Sequence, residues 1–190
     1  MNRREALSRV ALLMGGAVIG AEFFLSGCKS NSGVNTENLF EKDTLAFLNE
    51  AGETILPQTS TPGAKAANVG SFMAVMVRDC YNEKDQKAFK EGLIQLDKSC
   101  KEKYNKGFMQ AGSEQRTALF IQLDKEAQEY NSKKKKENPN HYFTMIKQLT
   151  LLGFFTSETG CTQALRYLPV PGKYVGDYPY KKGDKAWALV

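Results

Sequence analysis

The sequence predicts an all-α fold, a single domain of about five helices that closes with an extended, proline- and aromatic-rich C-terminal arm. Three observations predict it. Apolar residues recur three and four positions apart over most of the chain, the spacing that lines one face of a helix. Glycine and proline punctuate the joints between these runs. Beyond Pro169 the period vanishes while the aromatic content persists. The domain is read as residues 38–190, behind a tether, 28–37, and an N-terminal segment of different character, 1–27.

The first helix begins near Asn38 and turns Phe40, Thr44, Phe47, Ala51 and Ile55 inward. Pro57 ends it, because proline brings no backbone donor. Gln58 to Lys65 is a loop with Pro62-Gly63 as its turn. A second helix is expected to face inward with Val69, Phe72, Val75 or Met76, and Cys80. A third does so with Phe89, Leu93, Leu96, Cys100 and Tyr104, before Gly107 breaks the pattern. Ser113 reads as an N-cap and Glu114 as an acid in the first turn of a fourth helix that runs to about Tyr130. Lys133 to Lys136 is an uninterrupted lysine run followed by Glu137. Such a block repels itself and reads as a solvated loop; contact with anionic headgroups is the alternative. Asn138-Pro139 is a good start for the fifth helix, since proline at the first helical position loses no needed hydrogen bond. Phe143, Ile146, Leu149 and Leu152 face inward from it, and it leads to Gly153-Phe154-Phe155. The arm follows, carrying Pro169, Pro171, Tyr174, Tyr178, Tyr180 and Trp187. A purely polar tail of this kind would stay unstructured. An aromatic one needs a surface, either this domain or another protein.

The first 27 residues are an address. Arg3-Arg4 precedes about fifteen mostly apolar residues, too short a run to span a bilayer and of the form of an export signal. A twin arginine there points to the twin-arginine route, which carries folded cargo. Leu25-Ser26-Gly27-Cys28 resembles the bacterial lipobox, in which cleavage before the cysteine is followed by its acylation. Cys28 is therefore the expected lipid anchor. More than one acyl chain is needed for stable anchoring, and a mature lipoprotein cysteine carries more than one. Lys29 to Thr36 then reads as a flexible polar tether. The expected location is the bacterial cell envelope, facing the periplasm or the outside.

Composition narrows the function by exclusion. The formal charge is +5, and loss of the signal lowers it only slightly. No aromatic-interleaved basic stripe suggests nucleic acid. Cys80, Cys100 and Cys161 remain after Cys28 is acylated, an odd set. They read as small buried apolar residues or as one disulfide, internal or to a partner, with a thiol left over. There is no Cys-x-x-Cys-His for covalent haem and no dinucleotide or phosphate-loop fingerprint. His141 is the only histidine. It is a poor basis for a metal site or a nucleophile–base pair, and it reads as a surface or capping residue. No catalytic, cofactor-binding or metal-ligating constellation is identified in this chain.

One stretch is specific. Gly153-Phe154-Phe155-Thr156-Ser157-Glu158-Thr159-Gly160, then Gln163-Ala164-Leu165-Arg166-Tyr167, then Pro169-Val170-Pro171-Gly172, resembles the C-terminal signature of the gluconate 2-dehydrogenase subunit 3 family. Ile55-Leu56-Pro57, Thr61-Pro62-Gly63-Ala64 and Asp79-Cys80-Tyr81 are similar to the family's opening helices, so the resemblance spans about residues 43 to 187. The resemblance implies the small, cofactor-free subunit of a membrane-associated sugar or polyol dehydrogenase. Its large subunit carries FAD and does the chemistry, and a cytochrome c subunit often takes the electrons onward. The small subunit is implied to supply the export signal and to help the flavin subunit mature. A flavoprotein folds around FAD in the cytoplasm, so a partner lacking a signal would leave only as a folded complex. That accounts for Arg3-Arg4, and the lipobox adds the anchor.

The residues expected at the partner interface are Phe154, Phe155, Glu158, Arg166, Tyr167, Pro169, Pro171, Tyr174, Tyr178 and Trp187. Four of them have an internal alternative: Phe154 and Phe155 as a cap on the bundle core, Glu158 as a first-turn acid, Arg166 in an internal pair. Interfaces favour Tyr, Phe and Arg, which sustains the partner reading. The competing functions are a standalone structural or ligand-binding lipoprotein, or an enzyme with an unrecognised site.

Overall fold

The computed structural model describes residues 36–170 and 172–188. Arg3, Arg4, Cys28 and Pro171 lie outside the described residues, and so do the export and lipidation readings that rest on the first three. Among the described residues the fold is all-α. Five α-helices follow one another, α1 (Lys42–Ile55), α2 (Val69–Cys80), α3 (Glu83–Tyr104), α4 (Ser113–Lys133) and α5 (Tyr142–Phe155). Short 3₁₀ turns at Ala64–Ala67 and Phe108–Gln110 join them, and a π-type turn, Gly160–Ala164, follows α5. No described helix is long and apolar enough to cross a membrane.

The fifth helix is the axis of the bundle. Tyr142, Phe143, Met145, Ile146, Leu149, Thr150, Gly153 and Phe154 are buried on it, covering most of its circumference, as expected of a helix enclosed by others. It packs against each of the other four helices. Rings tie the bundle together: Phe47 lies 4.9 Å from Phe108, Phe108 5.5 Å from Phe120, and Phe120 5.0 Å from Phe143. These offset and edge-to-face distances add to the area the rings bury. Phe108 is held in register by Asp97 of α3, whose carboxylate accepts the Phe108 backbone N–H at 2.8 Å. Arg116 of α4 donates to the carbonyls of Phe108 (2.9 Å) and Met109 (3.0 Å) and pairs with Glu50 of α1. Burial pushes the Glu50 carboxyl up, but hydrogen bonds and charge from Lys65 and Arg116 outweigh it and hold the group below its ordinary value.

Several sequence expectations shift. In α2 the buried face is Val69, Gly70, Met73, Ala74 and Val77, whereas Val75 and Cys80 are exposed. Small residues carry this face because α1 crosses closely there: a Cβ on Gly70 would stand 2.7 Å from the Leu45 carbonyl oxygen. Phe40 precedes α1 and is exposed, and its ring lies under the Arg78 guanidinium at 4.6 Å. The N-cap of α4 is Gly112, whose N–H bonds to the Gln115 side chain at 3.0 Å, with Ser113 already helical. That helix continues to Lys133, so its last turn takes in the first lysine of the run. α5 begins at Tyr142 with His141 as its cap, not at Asn138-Pro139. Asn131 of α4 fixes this start, accepting from the His141 N–H (3.0 Å) and donating to the Thr144 hydroxyl (2.8 Å). Leu152 is exposed rather than inward. The three described cysteines are free; among them Cys100 is buried, Cys161 half-buried and Cys80 exposed.

Candidate functional site

The stretches singled out by sequence converge on two places, and in both their first task is structural. Of the opening block, Ile55-Leu56-Pro57 and Thr61-Pro62-Gly63-Ala64 form the end of α1 and the loop after it, while Asp79-Cys80-Tyr81 closes α2. Glu53 closes that loop, its carboxylate accepting the backbone N–H groups of Gln58 and Lys65, each at 2.8 Å, while Ala64 N–H bonds to the Leu56 carbonyl at 2.9 Å. Sequence reading missed Glu53, because an acid on a helix gives no sign that its acceptors serve a loop twelve residues on.

The C-terminal block governs how the chain leaves α5. A Cβ on Gly153 would stand 2.6 Å from Cδ1 of Phe72, so the glycine lets the α2 ring lie flat on α5. Phe154 is buried at 2% exposure, and Phe155 is 37% exposed, its ring 5.1 Å edge-on from Phe154. Phe154 is thus part of the core, while Phe155 stands at its margin. The Ser157 hydroxyl donates to the Phe154 carbonyl at 2.7 Å and accepts from Gly160 N–H at 3.0 Å. Gly160 is pressed against the end of α5, where a Cβ would come within 2.8 Å of the Phe154 carbonyl carbon and nearer still to its oxygen. Glu158 is exposed at the start of the short helical turn that leads into Gly160–Ala164. Cys161 places its sulfur 3.2 Å from the Phe155 carbonyl oxygen.

Arg166 is where the arm returns. Its N–H donates to the Ala186 carbonyl, and its carbonyl accepts from Ala188 N–H, both at 2.8 Å. This pairs Arg166 with Trp187 as an isolated parallel bridge. The guanidinium lies 4.7 Å from the Trp187 ring and 5.5 Å from the Tyr178 ring, and 3.6 Å from Asp184. Tyr178 and Trp187 meet edge-to-face at 5.4 Å. The Lys185 ammonium donates to the Gln163 carbonyl, and Asp184 accepts from Lys181 N–H at 2.9 Å. The structure therefore brings Arg166, Tyr178 and Trp187 together within this chain, with Asp184 as a partner the sequence did not disclose. Every described residue from Tyr167 to Trp187 is exposed, including Pro169. Tyr174 is 96% exposed and Val170 78%. Tyr167 does not join the Arg166 cluster in any ring or cation contact among the described residues.

Elsewhere, a shallow groove between α1, α4 and α5 has Ile55, Phe120, Ile121 and Phe143 on its floor and the Asp124–Lys147 pair, 2.7 Å, at its rim. Among the described residues no group of three or more His, Cys, Asp or Glu could hold a metal ion. His141 caps α5, its Nδ1 accepting from Phe143 N–H at 3.3 Å. Burial pulls it below its ordinary value, against an opposing pull from Glu126. Burial likewise pushes the neighbouring Tyr142 phenol well up. These are packing effects at a helix start.

The family model described as gluconate 2-dehydrogenase subunit 3 matches residues 42–172. The chain belongs to the gluconate 2-dehydrogenase subunit 3 family. Comparison with curated proteins and with solved structures gave no match. Membership associates the chain with a dehydrogenase complex of which it is one subunit. The match contains both signature blocks and ends at Gly172, short of the expected residue 187, so the returning half of the arm lies beyond it. For a gluconate 2-dehydrogenase subunit 3 protein, the glycines and the serine of the C-terminal block have a clear role here. They fold the chain back over α5 and deliver Arg166 to the base of the arm.

Proposed function

We propose that this chain is the non-catalytic small subunit of a flavin-dependent sugar or polyol dehydrogenase complex. Its role is to provide the export signal, the lipid anchor on Cys28 and stabilising contacts for a large subunit that carries FAD, with a cytochrome c subunit as a further partner. The observation that carries the reading is family membership over residues 42–172. Two features support it. The residues of the signature blocks are spent on packing and chain reversal, and the exposed aromatic side chains cluster on one segment, as on a surface that meets another protein. The Arg3-Arg4 pair and the Leu25-Ser26-Gly27-Cys28 box support a shared route out of the cytoplasm and an anchor at its end.

The test is to purify the full chain from membranes and take the visible spectrum of what accompanies it. A large subunit with a flavin spectrum is expected, with or without haem bands. Replacing Arg3 and Arg4 by lysine should strand both proteins in the cytoplasm. Cys28→Ala should release the complex from the membrane or leave it unprocessed. Stoichiometric flavin or metal bound to this chain alone, or a flavin partner that reaches the envelope normally without Arg3 and Arg4, would refute the proposal.

A further inference from the structure

We propose that the segment Arg166–Ala188 is a pre-closed docking loop, locked by Arg166, and that it takes an acidic surface with apolar pockets on the large subunit. This rests on the subunit reading above and names the surface that reading leaves open.

Three observations converge. First, the loop contributes nothing to the bundle core. Every described residue from Tyr167 to Trp187 is exposed, and no residue beyond Phe154 appears among the buried hydrophobics. Val170, Tyr174 and Tyr180 are each more than three-quarters exposed. Large apolar side chains left exposed along one segment outside the core mark a surface that meets another molecule.

Second, the loop is closed without that partner. Two backbone hydrogen bonds flank Trp187, and Arg166 stands against the rings of Trp187 and Tyr178 and near Asp184. One arginine thus joins the two ends of the loop by backbone, ring and charge contacts. A segment already held in its bound course loses less entropy on docking than a free tail. Asp184 and Lys181 close the returning strand in turn at 2.9 Å. The outward residues Tyr174 and Tyr180 make no contact with this closure among the described interactions, which leaves their rings free for a partner's pockets.

Third, the loop is basic. Arg166, Lys173, Lys181, Lys182 and Lys185 stand against Asp177 and Asp184, a net +3 on 23 residues of a chain whose whole formal charge is +5. The charge complement of such a loop is acidic. Charges of this sort at an interface set association rate and specificity, and they are screened beyond about 8 Å at physiological salt.

The experiment uses the full chain produced with the FAD-bearing large subunit, identified by its flavin spectrum. Affinity is measured by titration at low and high salt. Arg166→Ala should weaken binding more than tenfold while far-UV circular dichroism and Tm stay as in the wild type. Arg166→Lys keeps the charge but loses the flat stacking face, and should fall between the two. Tyr174→Ala with Tyr180→Ala should weaken binding without disturbing the closure. Lys181→Glu with Lys182→Glu should weaken it and flatten its salt dependence. Truncation after Leu168 should leave the bundle folded and remove most of the affinity. If the wild type binds the large subunit and all these variants bind within twofold of it, the docking loop is refuted while the subunit reading stands. If the wild type binds no flavin subunit, both fall together. Unfolding of the truncated chain would make the loop part of the core and overturn the proposal. Loss of self-association or of vesicle binding, with the complex intact, would assign the loop to a second copy or to lipid and overturn it as well.

Discussion

Replacing Gly160 by alanine tests the account of how the chain leaves α5. The turn after the helix brings Gly160 so close that a Cβ would lie 2.8 Å from the Phe154 carbonyl carbon and 3.3 Å from the Phe155 Cα. Carbon atoms pack best at about 3.5–4.0 Å, so the turn must withdraw from α5 by about 1 Å. The obstacle is helix backbone, which cannot rotate away as a side chain would, and Phe154 beneath it is buried. Overpacking of this kind costs about 1–3 kcal/mol. Alanine recovers about 0.5–1 kcal/mol by restricting the unfolded chain. Because the obstacle is backbone the cost lies in the upper half of that range, so the net loss is about 1–2.5 kcal/mol, and in a domain of this size each kcal/mol shifts Tm by about 2–4 °C. Thermal unfolding followed by far-UV circular dichroism should therefore show a fall of about 2–10 °C. Gly112→Ala is the control, because its nearest neighbour, the Gln115 side-chain oxygen, is 3.9 Å from the added Cβ, and its cost should stay near the few tenths to 1 kcal/mol of a lost cap. A Gly160→Ala protein that melts with the wild type would refute the described path of the chain between α5 and Arg166.

Three further outcomes follow from the fold. Asp97→Ala leaves the buried Phe108 N–H without its acceptor and should cost about 2 kcal/mol in urea unfolding, while Asp97→Asn, which keeps an acceptor oxygen, should cost less. His141 has a depressed pKa in the folded state because burial disfavours its charged form, so the unfolded chain takes up the proton first. Its contribution is therefore complete above about pH 6.5 and is lost as pH falls through the lower folded value; His141→Asn, which still caps the helix, should remove that step from a stability–pH profile. Glu50→Gln removes the charge that Arg116 and Lys65 share and should cost about 2 kcal/mol at neutral pH, with the difference from wild type shrinking in acid below the ordinary carboxylate value of 4.5.

The helices were legible where bulky residues mark the buried face. Phe89, Leu93, Leu96 and Cys100 of α3 lie inward as their spacing requires. In α2 the buried face includes Gly70 and Ala74, whose small size is what lets α1 approach. A reading that weights bulk turned that helix toward Phe72 and Val75 instead. The start of α5 was misplaced for a different reason. Asn138-Pro139 is a good local signal, but Asn131, ten residues before His141, holds the cap by long-range hydrogen bonds that no local spacing reveals. At the candidate site the aromatic character of the arm was plain from composition. Its closure was not, since it depends on Arg166 meeting residues about twenty positions away. The family signature located Arg166, and only the fold shows what it touches.

The return of the arm also decides where a label can be placed without harm. Anything fused behind Trp187 emerges beside Arg166, at the neck of the exposed loop, because Ala188 is hydrogen-bonded to Arg166. A bulky handle there would crowd the neck of the loop that carries Tyr174 and Tyr180, and a failed pull-down would say nothing about the protein. The lysine turn before α5 is the better position. It precedes the helix at the end opposite Phe155, and a helix of 14 residues separates the two by about 20 Å. An epitope inserted at Lys135 would leave both the signature turn and the loop untouched.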